Sequence, residues 1–358
     1  MNNVCFFNSE KKWGGGEKWH LKMSALFLEH GYSVILAGNY NSELIKKARS
    51  ENIPTQEFKI SRYSFLNPIK IYKIYKFFKK DNINTLFMNS SIDLKVCFIA
   101  SKMAKVKNIV YRRGMPHPIK NSFLNKLIFS KMLTKVIVNS KEIERSIFVN
   151  NSKIISKEKI LLLYNGIDNS DYKKTDEKLY DSEYPVFGNL GRLVEQKGQI
   201  HLIEAGKILK EKGYSFKILI GGKGDQEDYL RKKIKDYDLE EDVILLGFIN
   251  EIEKFMNSID IFVFPSYFEG SANSIIEAMY FSKPVICFNV SSMPELVENN
   301  VNGFLTEYKN TELFAEKMEE FIKNKKLIFE MGRKAKLTAK RYNILEIFNE
   351  LERRVLEG

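Results

Sequence analysis

The chain is short of the residues that staple a fold or hold a metal. Its 358 residues include three cysteines, four histidines and two tryptophans. Cys5, Cys97 and Cys287 are scattered and odd in number, which excludes a disulfide framework and a CxxC metal site. His20, His30, His117 and His201 have no metal-ligand spacing. No apolar run approaches the roughly 18–20 residues of a spanning helix, which excludes a helical membrane enzyme. The segment from Met1 to Trp13 has a short apolar patch and no small-residue cleavage site, so no secretory signal is expected. These absences make a cytoplasmic location the expectation. Low-complexity tracts and repeats of solenoid period are also missing.

What is present is ordinary globular composition, 44% apolar and 28% charged. The length exceeds one typical core and predicts two domains. Charge is divided unevenly between them. Residues 1–170 hold 29 Lys and Arg against 12 Asp and Glu, whereas the remainder holds 28 against 33. A basic first half suits an anionic partner, either nucleic acid or an acidic membrane surface, and equally a Lys-rich solvated face.

Short β-rich runs alternate with amphipathic segments from end to end. Strands are predicted at Val4–Asn8, Ser33–Ala37, Thr85–Met88, Ile109–Tyr111, Lys135–Val138 and Lys159–Tyr164. Helical spacing marks Glu17–His30 and Pro68–Lys79, the second with a basic outer face. After the polar stretch 169–184, which reads as a linker, the alternation restarts with Val186–Leu190. Strand–helix alternation predicts an α/β chain of two doubly wound, Rossmann-like domains with parallel sheets and ligands at the carboxyl ends of strands.

Four stretches at such ends carry candidate chemistry. Gly14-Gly15-Gly16-Glu17 joins a strand to a helix and suits a diphosphate at a helix N-terminus, although a flexible turn also explains it. Gly191-Arg192-Leu193-Val194-Glu195-Gln196-Lys197-Gly198 places two cations between glycines, a planar fork and a point charge for phosphate oxygens. Gly221-Gly222-Lys223-Gly224 forms a second flexible rim. The stretch from Phe264 to Met279 places Glu269 on a loop and Glu277 in the first turn of a helix capped by Asn273 or Ser274. Ser274 to Glu277 also fits a capping box, which needs no ligand. Asp236-Tyr237-Asp238 matches a metal-binding DxD formally but reads as a solvated helix end. His20 and His30 read as surface or partly buried packing.

Gly191-Arg192 with Lys197-Gly198, the Glu269-x7-Glu277 element and Pro294-Glu295-Leu296 with Asn302-Gly303-Phe304 resemble a retaining family 4 glycosyltransferase of the GT-B fold (glycosyl transferases group 1). Asn165-Gly166-Ile167-Asp168 and Gly15-Gly16-Glu17 also match. The resemblance implies a first domain over 1–168, a linker over 169–184, a second domain over 185–340 and a last helix, 344–358, packed back on the first domain, with both sheets facing a cleft. It implies transfer of a hexose-type sugar from a UDP- or GDP-sugar to a glycan or lipid-linked acceptor in cell-surface polysaccharide or lipopolysaccharide synthesis, with no metal or other cofactor. Arg192, Lys197 and Glu269 would serve catalysis. Gly15, Gly16, Gly222, Gly270, Ser271, Ala272, Asn273, Ser274 and Glu277 would bind donor, and Arg113 and His117 are acceptor-side candidates. Peripheral attachment to the cytoplasmic face of the inner membrane is implied through the basic first domain. Ser271 and Ala272 stand where the family more often has an aromatic residue or Leu, and His117 falls two or three positions late. A nucleotide-sugar 2-epimerase of the same fold is the alternative; a basic nucleic-acid-binding protein is a second, without an RNP, HTH or KH signature.

Overall fold

The computed structural model describes residues 3–356. Thirteen strands fall into two parallel sheets, and the chain divides into two compact units. The first unit holds Met1–Asn165 together with Ile347–Gly358, and the second holds Gly166–Glu346.

In the first unit the strands are β1 (Asn3–Asn8), β2 (Ser33–Asn39), β3 (Thr55–Phe58), β4 (Thr85–Met88), β5 (Asn108–Arg113), β6 (Lys135–Val138) and β7 (Ile160–Leu162). Their order is β3-β2-β1-β4-β5-β6-β7. Helices cover both faces, so the central strands are apolar on both sides. Phe6 stacks on Phe87 with centroids 4.8 Å apart, and Phe27 packs against both. The C-terminal helix Ile344–Leu356 joins this core through Phe348, whose ring meets Phe27 at 4.9 Å.

The second unit contains β8 (Val186–Leu190), β9 (Lys217–Gly221), β10 (Val243–Gly247), β11 (Ile261–Phe264), β12 (Val285–Phe288) and β13 (Gly303–Thr306). Their order is β10-β9-β8-β11-β12-β13. The expected linker 169–184 is bound to this unit rather than suspended before it. Leu179 and Tyr180 donate backbone N–H bonds to Ser258 Oγ at 2.7 and 3.1 Å, and Asn257 Nδ2 donates to Thr175 O at 2.7 Å. These bonds use the backbone of the stretch and side chains of the helix Ile252–Ser258, so the composition of the stretch does not announce them.

The helix Asn273–Tyr280 begins one residue earlier than expected. Ala272 is its N-cap, with no side-chain hydrogen bond, so neither Asn273 nor Ser274 caps it. With Ser274 inside the helix, the Ser274–Glu277 capping box does not form, and Glu277 lies in the second turn. Two edge strands, β3 and β13, were not expected; one is only partly buried and polar, and the other begins at glycine.

Candidate functional site

In the second sheet the chain runs outward from β8 through β9 to β10, then returns to β8's other side as β11. Connections from these two neighbours leave in opposite directions, which opens a crevice at their carboxyl ends. The loops that follow β8 and β11 are the two cation- and carboxylate-bearing stretches singled out in the sequence.

Backbone contacts set these loops. Gly198 is left-handed, with φ of 65°, and a Cβ there would strike the Pro265 carbonyl oxygen. Gly222, with φ of 147°, lies against Gly191 in the same way. The β8 loop is further fixed by Tyr267 N–H donating to Gln196 O at 2.8 Å and by Leu193 N–H donating to Lys223 O at 3.0 Å.

The charged centre is compact. Lys197 Nζ donates to Glu269 Oε1 at 2.7 Å, and Ser266 Oγ donates to the same oxygen at 2.6 Å. The lysine and glutamate side chains retain only 15% and 11% exposure, so little water screens the pair. The Lys197 ammonium also lies 5.0 Å from the Phe264 ring centroid. Ser291 and Ser292 donate to the Glu269 carbonyl, which holds the loop down. Arg192 is exposed at the crevice, and its carbonyl accepts from Gln199 Nε2 at 3.0 Å. A tethered ammonium, an exposed guanidinium and a carboxylate thus share one sheet edge. Such a set suits a polyanion whose charge rises during bond cleavage.

Gly270 and Ala272 are buried, and Ser271 Oγ donates to Asn273 Oδ1 at 3.1 Å. Ser274 stands in the first helical turn, where the helix dipole is positive. Glu277 is half-buried and hydrogen-bonded by the Tyr172 hydroxyl, whose pKa is pushed far up by burial and then by this carboxylate. Tyr172 stacks on Tyr280 at 5.5 Å. It comes from the supposed linker, and nothing in its local sequence marks it as a site residue.

The first sheet has its own switch point, between β1 and β4. Gly15 and Gly16 open the helix Gly15–Glu29, and a Cβ on Gly16 would collide with the Asn89 amide. Asn8 Nδ2 donates to the buried Glu17 at 2.9 Å. Arg112, not proposed as a site residue, donates to Asn89 Oδ1 at 3.1 Å and to Asn165 Oδ1 at 2.8 Å, beneath the Trp19 ring. Burial brings its pKa down to about 10, with Glu17 opposing. His20 is fully buried, a correction to the surface or partly buried placement expected: both ring nitrogens lack a partner, and burial followed by Arg112 lowers its pKa to about 3. Arg113 is half-buried and hydrogen-bonds Tyr111, whereas His117 stands exposed. The two differ in exposure, and the polar contacts of this switch point gather on Arg112.

Among the described residues no group of three or more His, Cys, Asp or Glu is arranged to hold a metal ion, and no helix is long and apolar enough to cross a membrane. Asp236 and Asp238 are both exposed at a helix end.

Comparison with known proteins places this crevice in a family context. Residues 171–338 match the family model of Glycosyl transferases group 1. The match spans the second unit's sheet and both loops of the crevice. The sequence is 29% identical over 74% of its length to an uncharacterised glycosyltransferase of Methanocaldococcus jannaschii, covering 68% of that protein. It is 30% identical to the capsular polysaccharide biosynthesis glycosyltransferase CapM of Staphylococcus aureus, over 61% of this chain and 60% of that one. A Campylobacter jejuni 4-alpha-N-acetylgalactosaminyltransferase acting on N-acetylgalactosamine-N,N'-diacetylbacillosaminyl-diphospho-undecaprenol is 33% identical over 63% and 62%. In fold, the chain superposes over its full length on Anabaena HepE, solved with UDP and glucose, at a TM-score of 0.83 and 22% identity, covering 100% of that chain. It superposes on a Rickettsia africae glycosyltransferase at 0.86 and 21% identity, covering 100% of this chain and 99% of that one. The architecture is the two-domain α/β GT-B fold of such enzymes.

Proposed function

We propose that the protein moves a hexose-type sugar from a UDP- or GDP-sugar to a glycan or lipid-linked acceptor, retaining anomeric configuration and using no metal, in cell-surface polysaccharide synthesis. The observation that carries this reading is the Lys197–Glu269 pair, held at the switch point of the second sheet beside the exposed Arg192. Arg192 and Lys197 bind the diphosphate and offset the charge that develops on the leaving group, the part a metal plays elsewhere. Lys197 gives one hydrogen bond to Glu269 and has two N–H groups left for phosphate. Glu269 contacts the sugar, with Gly270, Ser271, Ala272, Asn273 and Ser274 lining sugar and phosphate. Glu277 accepts the ribose hydroxyls and is oriented by Tyr172. Gly222 admits the diphosphate closely, Gly15 and Gly16 of the first unit remain donor-side candidates, and Arg113 and His117 remain acceptor-side candidates.

The UDP bound by the HepE structure and the diphospho-undecaprenol in the Campylobacter relative's name support a nucleotide donor and a lipid-linked acceptor. Attachment to the cytoplasmic face of the membrane has its own support. The segment 59–80 contains seven Lys and Arg and no acid, and its helix Pro68–Lys80 leaves Ile69 and Tyr72 exposed beside them.

The test is proton NMR of UDP- and GDP-hexoses incubated with the protein in EDTA, where water serves as a slow acceptor. The expected product is free sugar appearing first as the donor's anomer, with release lost in Glu269→Gln. Release of the opposite anomer, a requirement for divalent metal, or conversion to an epimer with the nucleotide still attached would overturn the proposal.

A further inference from the structure

The second unit has a cavity at the opposite end of its sheet from the proposed donor loops. Its volume is about 540 Å³, and it is lined by residues at the starts of β8, β11 and β12 and by the helix Lys325–Ala339. Because all six strands are parallel, these starts lie one strand length, roughly 15 Å, from the loops that follow them. A ligand in the cavity therefore has no direct contact with Arg192 or Glu269.

The cavity is built by close packing. Gly332 lies on the inner face of that helix, and a Cβ there would collide with the Ser282 carbonyl oxygen. Ser282 itself is left-handed, with φ of 61°, so the turn is held in a conformation that ordinary side chains disfavour. Lys283, the next residue, lines the same cavity as the helix. Lys283 donates to Ile259 O at 2.7 Å, and burial lowers its pKa, with Asp260 opposing and Lys178 reinforcing.

The lining is cationic in an otherwise acidic unit. Lys283, Lys325, Arg333 and Lys336 face the space against Glu183 and Asp260. Asp260 already accepts from Val186 N–H at 2.9 Å. Lys325, Phe329, Arg333 and Lys336 recur at i, i+4, i+8 and i+11, which puts them on one helix face. None of the three cations on that face is ion-paired among the described residues, whereas Lys326, off that face, pairs with Glu330 at 3.4 Å. The run 325–341 contains seven Lys and Arg and one Glu, although residues 171–358 as a whole are net acidic. Two aromatic rings stand at the lining without cover, Phe329 at 75% exposure and Tyr184 at 47%. The volume is in the range of small-molecule sites and far above that of a bare phosphate ion.

We infer that this cavity is a second ligand site, taking a small soluble phosphate ester with a ring or apolar body, its phosphate on Arg333, Lys336 and Lys283 and its body against Phe329 or Tyr184. The inference stands apart from the donor reading, since no residue is shared.

Isothermal calorimetry with AMP, glucose 1-phosphate and inorganic phosphate tests it, alongside flotation with phosphatidylglycerol vesicles. Three forms are compared: the wild type, Arg192→Ala/Lys197→Ala and Arg333→Glu/Lys336→Glu. The changed positions of the last are exposed, and its UDP titration reports whether it remains folded. Phe329→Ala serves as an independent variant. The expected result is saturable binding of an ester by the wild type and by the donor-loop variant, weakened at least tenfold in Arg333→Glu/Lys336→Glu and several-fold in Phe329→Ala, with UDP binding unchanged in both. The inference is overturned by ester binding that charge reversal leaves intact, by ester binding lost in the donor-loop variant, by binding of none of the three probes, or by association with vesicles alone.

Discussion

Acidification should destabilise the first unit through His20, and replacing that residue by Phe should remove the effect. The ring is fully buried beside Phe6 and Trp19, and its pKa falls from 6.5 to about 3. The folded protein then refuses a proton that the unfolded chain accepts, so stability is complete above pH 6.5 and drains away as pH falls toward 3. Between pH 7.5 and 5.0 this one group costs about 2 kcal/mol. Asp93 acts in the opposite sense within the same unit. Burial raises its carboxyl pKa to about 6 despite bonds from Ser9 and Ser90, so acidification relieves it by roughly 1 kcal/mol over the same interval. The wild type therefore shows a shallow pH dependence from these two groups, and only the variant exposes the larger opposing terms. The chain has two tryptophans, Trp13 and Trp19, and both lie in the first unit, so urea denaturation followed by tryptophan fluorescence reports that unit alone. His20→Phe should change the difference in unfolding free energy between the two pH values by about 2 kcal/mol relative to the wild type. A change below roughly 0.5 kcal/mol would refute the reasoning.

Other expectations concern the second unit. Glu269→Gln leaves a tethered ammonium without its carboxylate and should lower donor turnover by about a hundredfold or more, measured by nucleotide release, while costing roughly 1–3 kcal/mol in thermal or urea stability. Tyr172→Phe should weaken UDP binding about tenfold, close to 1.4 kcal/mol, through a less well-oriented Glu277; an unchanged dissociation constant would separate Tyr172 from the site. Gly222→Ala forces a side chain against the Gly191 carbonyl at a left-handed position, and should cost more than about 2 kcal/mol on denaturation and abolish nucleotide binding together.

The parallel strands and their helices are legible because buried strands read as short apolar runs and the helices recur at helical spacing. Thr85–Met88, Lys135–Val138 and Val186–Leu190 are found at the expected boundaries. The edge strands Thr55–Phe58 and Gly303–Thr306 carry too little apolar pattern to be read that way. The Arg192, Lys197 and Glu269 stretches are legible because glycines and charges stand directly after strands. Their ion pair is a tertiary contact across 72 residues, and no local pattern encodes it. The Glu277 partner Tyr172 and the buried Arg112–Asn89–Asn165 cluster are illegible for the same reason. His20 was misplaced because its helix is apolar over most of its circumference, which leaves no polar face to sort a histidine outward. The stretch 169–184 reads as a linker by composition, and its backbone bonds to the helix Ile252–Ser258 are tertiary contacts that composition does not encode.

The central claim is that a nucleoside diphosphate is held by Arg192 and Lys197 at the switch point of the second sheet. Calorimetric titration of UDP and GDP into the wild type and into Arg192→Ala/Lys197→Ala addresses it most directly. The account predicts saturable binding of one nucleotide by the wild type and at least a hundredfold loss, about 2.7 kcal/mol, in the double variant, which melts lower for want of Glu269's partner but is still folded at the titration temperature. Equal affinity in the two proteins, or no binding of either nucleotide to the wild type, would contradict it.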